Sequence, residues 1–115
     1  MNAEKEYQLG AEAFKAGDAA TGAEHLRNAA FAGHAEAQNQ LARVYFAQVK
    51  TRTDLADLEA AAQSGDHVAL FVLAMCFLDG KLLEKDTDKA LLALQHAAAR
   101  GNVMAEAMLQ GDARS

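Results

Sequence analysis

Proline and tryptophan are absent from this sequence, and cysteine occurs once in its 115 residues. A lone Cys76 cannot form an intramolecular disulfide, so nothing here requires an oxidising compartment. It sits in the apolar run "VLAMCFL", which predicts a buried structural thiol rather than a reactive one. Positive charge is scarce too: eleven Lys and Arg against sixteen Asp and Glu give a formal net charge of −5. The basic residues are scattered and line no single face. That argues against nucleic acid, which needs clustered cations to meet phosphates, and against a polybasic membrane anchor. No apolar stretch approaches the ~20 residues of a membrane span. The opening "MNAEKEYQLG" has no apolar core of a secretion signal. We expect a soluble, cytoplasmic protein; a leader trimmed from the sequence would leave no trace.

Catalytic patterns are missing as well. Serine occurs only at 64 and 115, and there is no Ser-His-Asp set, no H-E-x-x-H and no P-loop. Ser64 lies in the "QSGD" turn, where a small polar residue is expected on conformational grounds alone. The glycines follow a repeat period instead of clustering around a phosphate. We therefore expect no enzyme, no cofactor and no metal.

What the chain has is alanine and a period. Roughly half the residues are apolar, alanine foremost. This suits closely packed helices, since alanine has the best helix propensity and lets backbones approach. Three phrases echo one another: "RNAAFAG", "EAAAQSG" and "HAAARG". Their glycines, Gly33, Gly65 and Gly101, are spaced by 32 and 36 residues. Leu41, Leu73 and Leu109 repeat those spacings, each eight residues after its glycine, and Ala37, Ala69 and Ala105 each stand four before the leucine. The four-residue shortfall lies between Gln48 and Asp54, where the later copy has "DGKLLEKDTDK". A deletion confined to a turn is what a repeat tolerates.

Each unit reads as two helices. The first runs near 35–48 and again near 67–79, the second near 53–63 and again near 87–100. Ala37, Leu41 and Tyr45 at i, i+4, i+8 support helix over strand, as do Leu91, Leu94 and Ala98. Asp86 or Thr87 can cap the second B helix, and Gly101 suits the position just past its end. "AAxxG" is thus a helix end with small residues and a glycine stop. Residues 1–33 form a weaker unit, with Leu9–Gly10 in the place of Leu41–Ala42. "NVMAEAML" closes the array. The expected layout is one repeat domain over 1–110, in units of about 1–33, 34–65 and 66–101 with a closing helix at 102–110. A frayed tail is expected at 111–115.

The unit resembles the Sel-one-like repeat, a relative of the tetratricopeptide repeat. The family pattern is A-x-x-x-L-G-x-x-Y-x-x-G, a variable turn, D-x-x-K-A and K-A-A-x-x-G. Residues 69–101 match through Ala69, Leu73, Phe77 in place of Tyr, Gly80, Asp86, Lys89, Ala90, Ala97, Ala98 and Gly101. Ala74 replaces the usual glycine, Ala93 a common aromatic, and His96 a common lysine. Residues 37–65 match through Ala37, Leu41, Tyr45, Ala61, Ala62 and Gly65, but lack the glycine turn and have Asp54 where alanine is usual. "AGHAEAQNQLA" is similar to the family's inter-repeat junction. The resemblance implies an all-α, right-handed superhelical solenoid of antiparallel helix pairs. It implies a non-catalytic adaptor that holds a protein or peptide on its concave face. Secreted members carry paired cysteines, which this chain lacks. By family analogy alone, a bacterial toxin-neutralising or secretion-accessory role also fits a small acidic scaffold.

The candidate partner-binding residues follow from helix geometry. Leu41 and Tyr45 share the side facing the second helix of their unit. Asn39, Arg43 and Phe46 form another stripe, over 100° away. The same register gives Phe71, Met75 and Leu78 in the next unit, and Tyr7, Ala11 and Phe14 in the first. By resemblance this stripe lines the concave side, an apolar groove with Arg43 pairing a carboxylate. The competing reading is that tight curvature buries these side chains against each other. A further possibility is self-association, as a homodimer, through Val103, Met104, Met108 and Leu109 of the last helix. His34 and His67, at equivalent junctions, could form a metal pair; we expect instead turn or capping residues, since no ligand-spaced partner accompanies either.

Overall fold

The computed structural model describes residues 2–114, and side-chain surroundings as far as Gly111. Seven helices lie among the described residues: α1 (Ala3–Lys15), α2 (Ala19–Phe31), α3 (Ala35–Gln48), α4 (Arg52–Gln63), α5 (His67–Asp79), α6 (Thr87–Ala99) and α7 (Val103–Arg114). There is no strand among the described residues. The helices stand within a residue of the bounds expected for α3 to α6. The last helix differs: α7 runs on to Arg114, where the sequence suggested a frayed tail from 111. Ser115 lies outside the described residues.

One three-residue junction recurs four times: Ala16-Gly17-Asp18, Ala32-Gly33-His34, Ser64-Gly65-Asp66 and Arg100-Gly101-Asn102. In each, the glycine has a positive φ, between 83° and 106°, which a side chain would strain. Its N–H donates to the carbonyl three residues back, and the next N–H to the carbonyl five back: Ala30 and Ala29, Ala62 and Ala61, Ala98 and Ala97 in the three "AAxxG" copies. The residue that completes this stop also starts the next helix. Asp18, His34, Asp66 and Asn102 each accept a backbone N–H of the following first turn with the side chain. Asp86 caps α6 likewise, accepting from Lys89 N–H at 3.0 Å.

The links inside the second and third units differ by four residues. α3 and α4 are joined by 49–51, α5 and α6 by 80–86. The repeat deletion therefore falls in the turn, as the alignment required.

Within the first and third units the two helices pack along their lengths, α1 on α2 and α5 on α6. α1 and α2 approach through glycine: a Cβ on Gly10 would lie 3.2 Å from the Gly22 carbonyl oxygen. The second unit is different. α4 packs on α5, not along α3, while α3 touches both α5 and α7. In a strict stack each unit meets only its neighbours; the contact of α3 with α7 skips one. The body measures 41 × 33 × 21 Å.

The polar centre of this packing is Gln38, which has no solvent exposure. Its Nε2 donates to the carbonyls of Ala30 and Gly101, both at 3.0 Å, and its Oε1 accepts from Val103 N–H at 2.8 Å. A glutamine at this position ties three units together. Leu41 and Ala69 are buried as their repeat positions predict, and Cys76 is buried. Leu73, the equivalent of Leu41, is only half-buried, packed at the edge of the core. The reason is that nothing closes over α5 on that side as α3 is closed over by its neighbours; a shallow depression lies there instead, with Phe77, Leu83 and Lys89.

Candidate functional site

α3 is divided. Its first half is buried through Ala37, Gln38, Leu41 and Ala42; beyond them Arg43, Val44, Phe46, Ala47 and Gln48 are exposed, and Tyr45 alone turns inward. The turn that follows fixes where α4 goes. Thr51 caps α4 and Asp54 answers it, accepting the N–H of Thr51 at 2.9 Å and of Lys50 at 3.0 Å. These bonds hold the Asp54 carboxyl below the usual carboxylate range, the Lys50 backbone N–H most of all. So anchored, α4 leaves α3 at its tip and a cleft of about 620 Å³ opens between them.

Tyr45, Leu58, Val49 and Ala61 give the cleft its apolar lining, and Arg27, Lys50, Asp54 and Asp57 its charge. The Tyr45 hydroxyl donates to Asp66 Oδ2, while Asp66 Oδ1 accepts from Val68 and Ala69 N–H at 3.0 Å each. Asp66 thus caps α5 and anchors α3 with one buried carboxylate. Burial, reinforced by Asp66, pushes the Tyr45 phenol up to about 12, with Arg27 opposing. On the other side of α3 lies a second depression of about 320 Å³, where Phe46 meets Cys76, Asp79 and Leu82. Val49 and Lys50 border both hollows. The end of α3 is therefore a ridge between two recesses, with Phe46 45% exposed on it.

The expected stripe does not form one groove. Phe71 is in the core, 7% exposed, because α5 is apolar all round and α3, α4 and α6 pack about it. Met75 and Leu78 are half-buried, and Met75 packs against the core. Tyr7 is half-buried too: its ring stacks on His34 at 4.3 Å and its hydroxyl accepts from Gln40 at 2.7 Å. Phe14 is exposed at the end of α1, its ring lying over Gly22. Asn39 is half-buried; Arg43 and Phe46 are exposed on α3. Of the eight residues, only these last two stand together on an open surface. The lack of any polar stripe in "HVALFVLAMCFLD" was the signal that Phe71 is core. Sequence reasoning missed Arg27, Val49, Lys50 and Asp57, because the cleft depends on where α4 points.

The last helix packs on α3 and α6, and both junction histidines cap or bond a neighbouring helix. Val103, Met104, Met108 and Leu109 of α7 are all half-buried, the last three against the core. His34 caps α3, its Nδ1 accepting from Ala37 N–H at 3.1 Å and its Nε2 lying 2.7 Å from Glu4. His67 is not a solvated turn residue: it is 3% exposed and bonds Asn102. Among the described residues, no three His, Cys, Asp or Glu side chains gather to hold a metal ion. Among the same residues, no helix is long and apolar enough to cross a membrane.

No family model matches the sequence, and no curated protein or solved structure matches it. The resemblance to Sel-one-like repeats rests on the residues quoted above.

Proposed function

We propose that this protein is a non-catalytic helical-repeat scaffold, related to Sel-one-like repeats, that binds a protein or peptide against the exposed end of α3. The observation that carries this reading is the ridge itself: Arg43 and Phe46 stand exposed on α3, and a recess flanks it on either side. A phenylalanine at nearly half exposure between two hollows is a suitable anchor for an apolar side chain of a partner. The mixed charges of Arg27, Lys50 and Asp57 around the larger recess would orient it. Superhelical coiling of the helix pairs and a cytoplasmic location belong to the same reading.

The test is the double variant Arg43→Glu with Phe46→Ser, used as bait in native lysate beside wild type. Leu92→Ser, an exposed site on α6, is the control. A bound protein held by wild type and control but lost by the double variant, at unchanged melting temperature, supports the reading. Equal capture by all three removes the α3 ridge from consideration.

A further inference from the structure

Asn102, at the junction of α6 and α7, has no solvent exposure. Its side-chain oxygen accepts the Ala105 backbone N–H at 2.9 Å. A backbone N–H can only donate, so this bond decides which end of the amide faces α7. The NH₂ end accordingly faces His67, donating to ring Nδ1 at 3.2 Å and to the His67 carbonyl at 3.4 Å. An amide NH₂ offers nothing to accept a second donor. Nδ1 must therefore carry a lone pair, and the neutral ring bears its proton on Nε2. That nitrogen is buried without a hydrogen-bond partner, and the imidazole lies edge-on to the Phe31 ring, 5.6 Å between ring centroids.

We infer that His67 and Asn102 form an acid-released latch on α7: a proton on His67 Nδ1 sets donor against donor and frees the last helix. The amide cannot rescue the bond by turning over. Reversed, its oxygen would accept from the charged ring, but its NH₂ would then oppose the Ala105 N–H and α7 would lose its cap. Nor is the backbone free to slide, since Gln38 holds Gly101 on one side of Asn102 and Val103 on the other. Either orientation leaves one pair of donors facing, and the strain falls on the α7 entry.

Two charged groups act on the ring. Asp66, directly before it, favours the protonated form; Arg100, at the end of α6, opposes it. Phe31 from α2 and Asn102 before α7 bring no charge. Burial outweighs Asp66 and holds the His67 pKa below the usual histidine value. The unfolded chain, with an ordinary histidine near pKa ~6.5, then binds the proton more readily than the folded one. The latch is fully closed above that value and loosens as pH falls from there through the lower folded-state pKa. Its release would bare the core-facing sides of Met104, Met108 and Leu109.

The experiment measures amide hydrogen-exchange protection in α7, corrected for intrinsic exchange, from pH 7.5 to 5, with each histidine ring titrated by NMR. Protection in α7 should fall by up to about tenfold per pH unit from pH ~6.5 down to the His67 midpoint and level off below it, while α5 and α6 keep theirs. Asn102→Asp should reverse the sign: one carboxylate oxygen still accepts from Ala105 N–H, and the other welcomes a protonated Nδ1, so α7 tightens as pH falls. Flat protection down to pH 5 in wild type would overturn the inference. So would a loss that follows His25 or His34, which pair with Glu6 and Glu4, or an Asn102→Asp response of unchanged sign. Should Asn102→Asp fail to fold, the wild-type titration decides alone.

Discussion

The side-chain nitrogen of Gln38 lies 3.0 Å from the carbonyl oxygen of Gly101, joining α3 to the entry of α7 across 63 residues of chain. The same amide satisfies two further backbone groups, so one side chain closes the ends of α2 and α6 and the start of α7. Helix ends buried without partners are costly, and here the partner comes from another repeat.

Gln38→Leu keeps most of the volume but leaves the Gly101 carbonyl and the Val103 N–H without their partner, while the Ala30 carbonyl keeps the Gly33 N–H. At about 1–3 kcal/mol for each buried group left unsatisfied, we expect a loss of about 2 kcal/mol or more in urea unfolding. A loss below about 1 kcal/mol would mean these groups find other partners.

Gly10→Ala tests the approach of α1 to α2. Alanine gains about 1 kcal/mol of helix propensity over glycine. Its Cβ would, however, stand 3.2 Å from the Gly22 carbonyl and 3.4 Å from Leu26 N, backbone that moves only if α2 moves. We expect a net destabilisation of about 1 kcal/mol, since overpacking costs about 1–3. Gly22→Ala instead meets the exposed Phe14 ring, which can swing into solvent. It should be nearer neutral in the same melts.

Asp66→Ala and Asp86→Ala both remove a helix cap, and their difference measures burial. At Asp86 the loss should be about 1 kcal/mol, typical of a cap. At Asp66 the Tyr45 hydroxyl also loses its acceptor inside the protein, so about 2–4 kcal/mol is expected. Equal losses in chemical unfolding would show that the Tyr45 bond adds nothing.

The raised Tyr45 phenol should be visible directly. In Tyr7→Phe, which leaves Tyr45 as the one tyrosine, phenolate absorbance should develop around pH 12 while the protein stays folded. The folded-state pKa is above the unfolded value near 10, so this group's contribution is complete below pH 10 and is lost as pH rises toward 12. Ionisation at an ordinary pH near 10 in the folded protein would place the hydroxyl in solvent.

Sequence alone determined the helices, the repeat period and the ends of α3 to α6, though not the end of α7. The reason is that these are local: apolar spacing along one helix, an "AAxxG" stop closed by its own carbonyls, a capping side chain three residues from the N–H it accepts. The four-residue deletion was legible for the same reason, since it changes a turn and leaves the flanking periods intact. Tertiary structure decided what those helices face. Periodicity puts Phe71 and Phe46 on the same stripe; it does not say that neighbouring helices cover the Phe71 side of α5 and leave the end of α3 open, so one is core and the other exposed. The direction of α4 after Thr51 opens the Tyr45 cleft. The meeting of Gln38 with Gly101, and of His67 with Asn102, joins residues 63 and 35 apart. Such pairings depend on how whole helices stack, which no local window of the sequence contains.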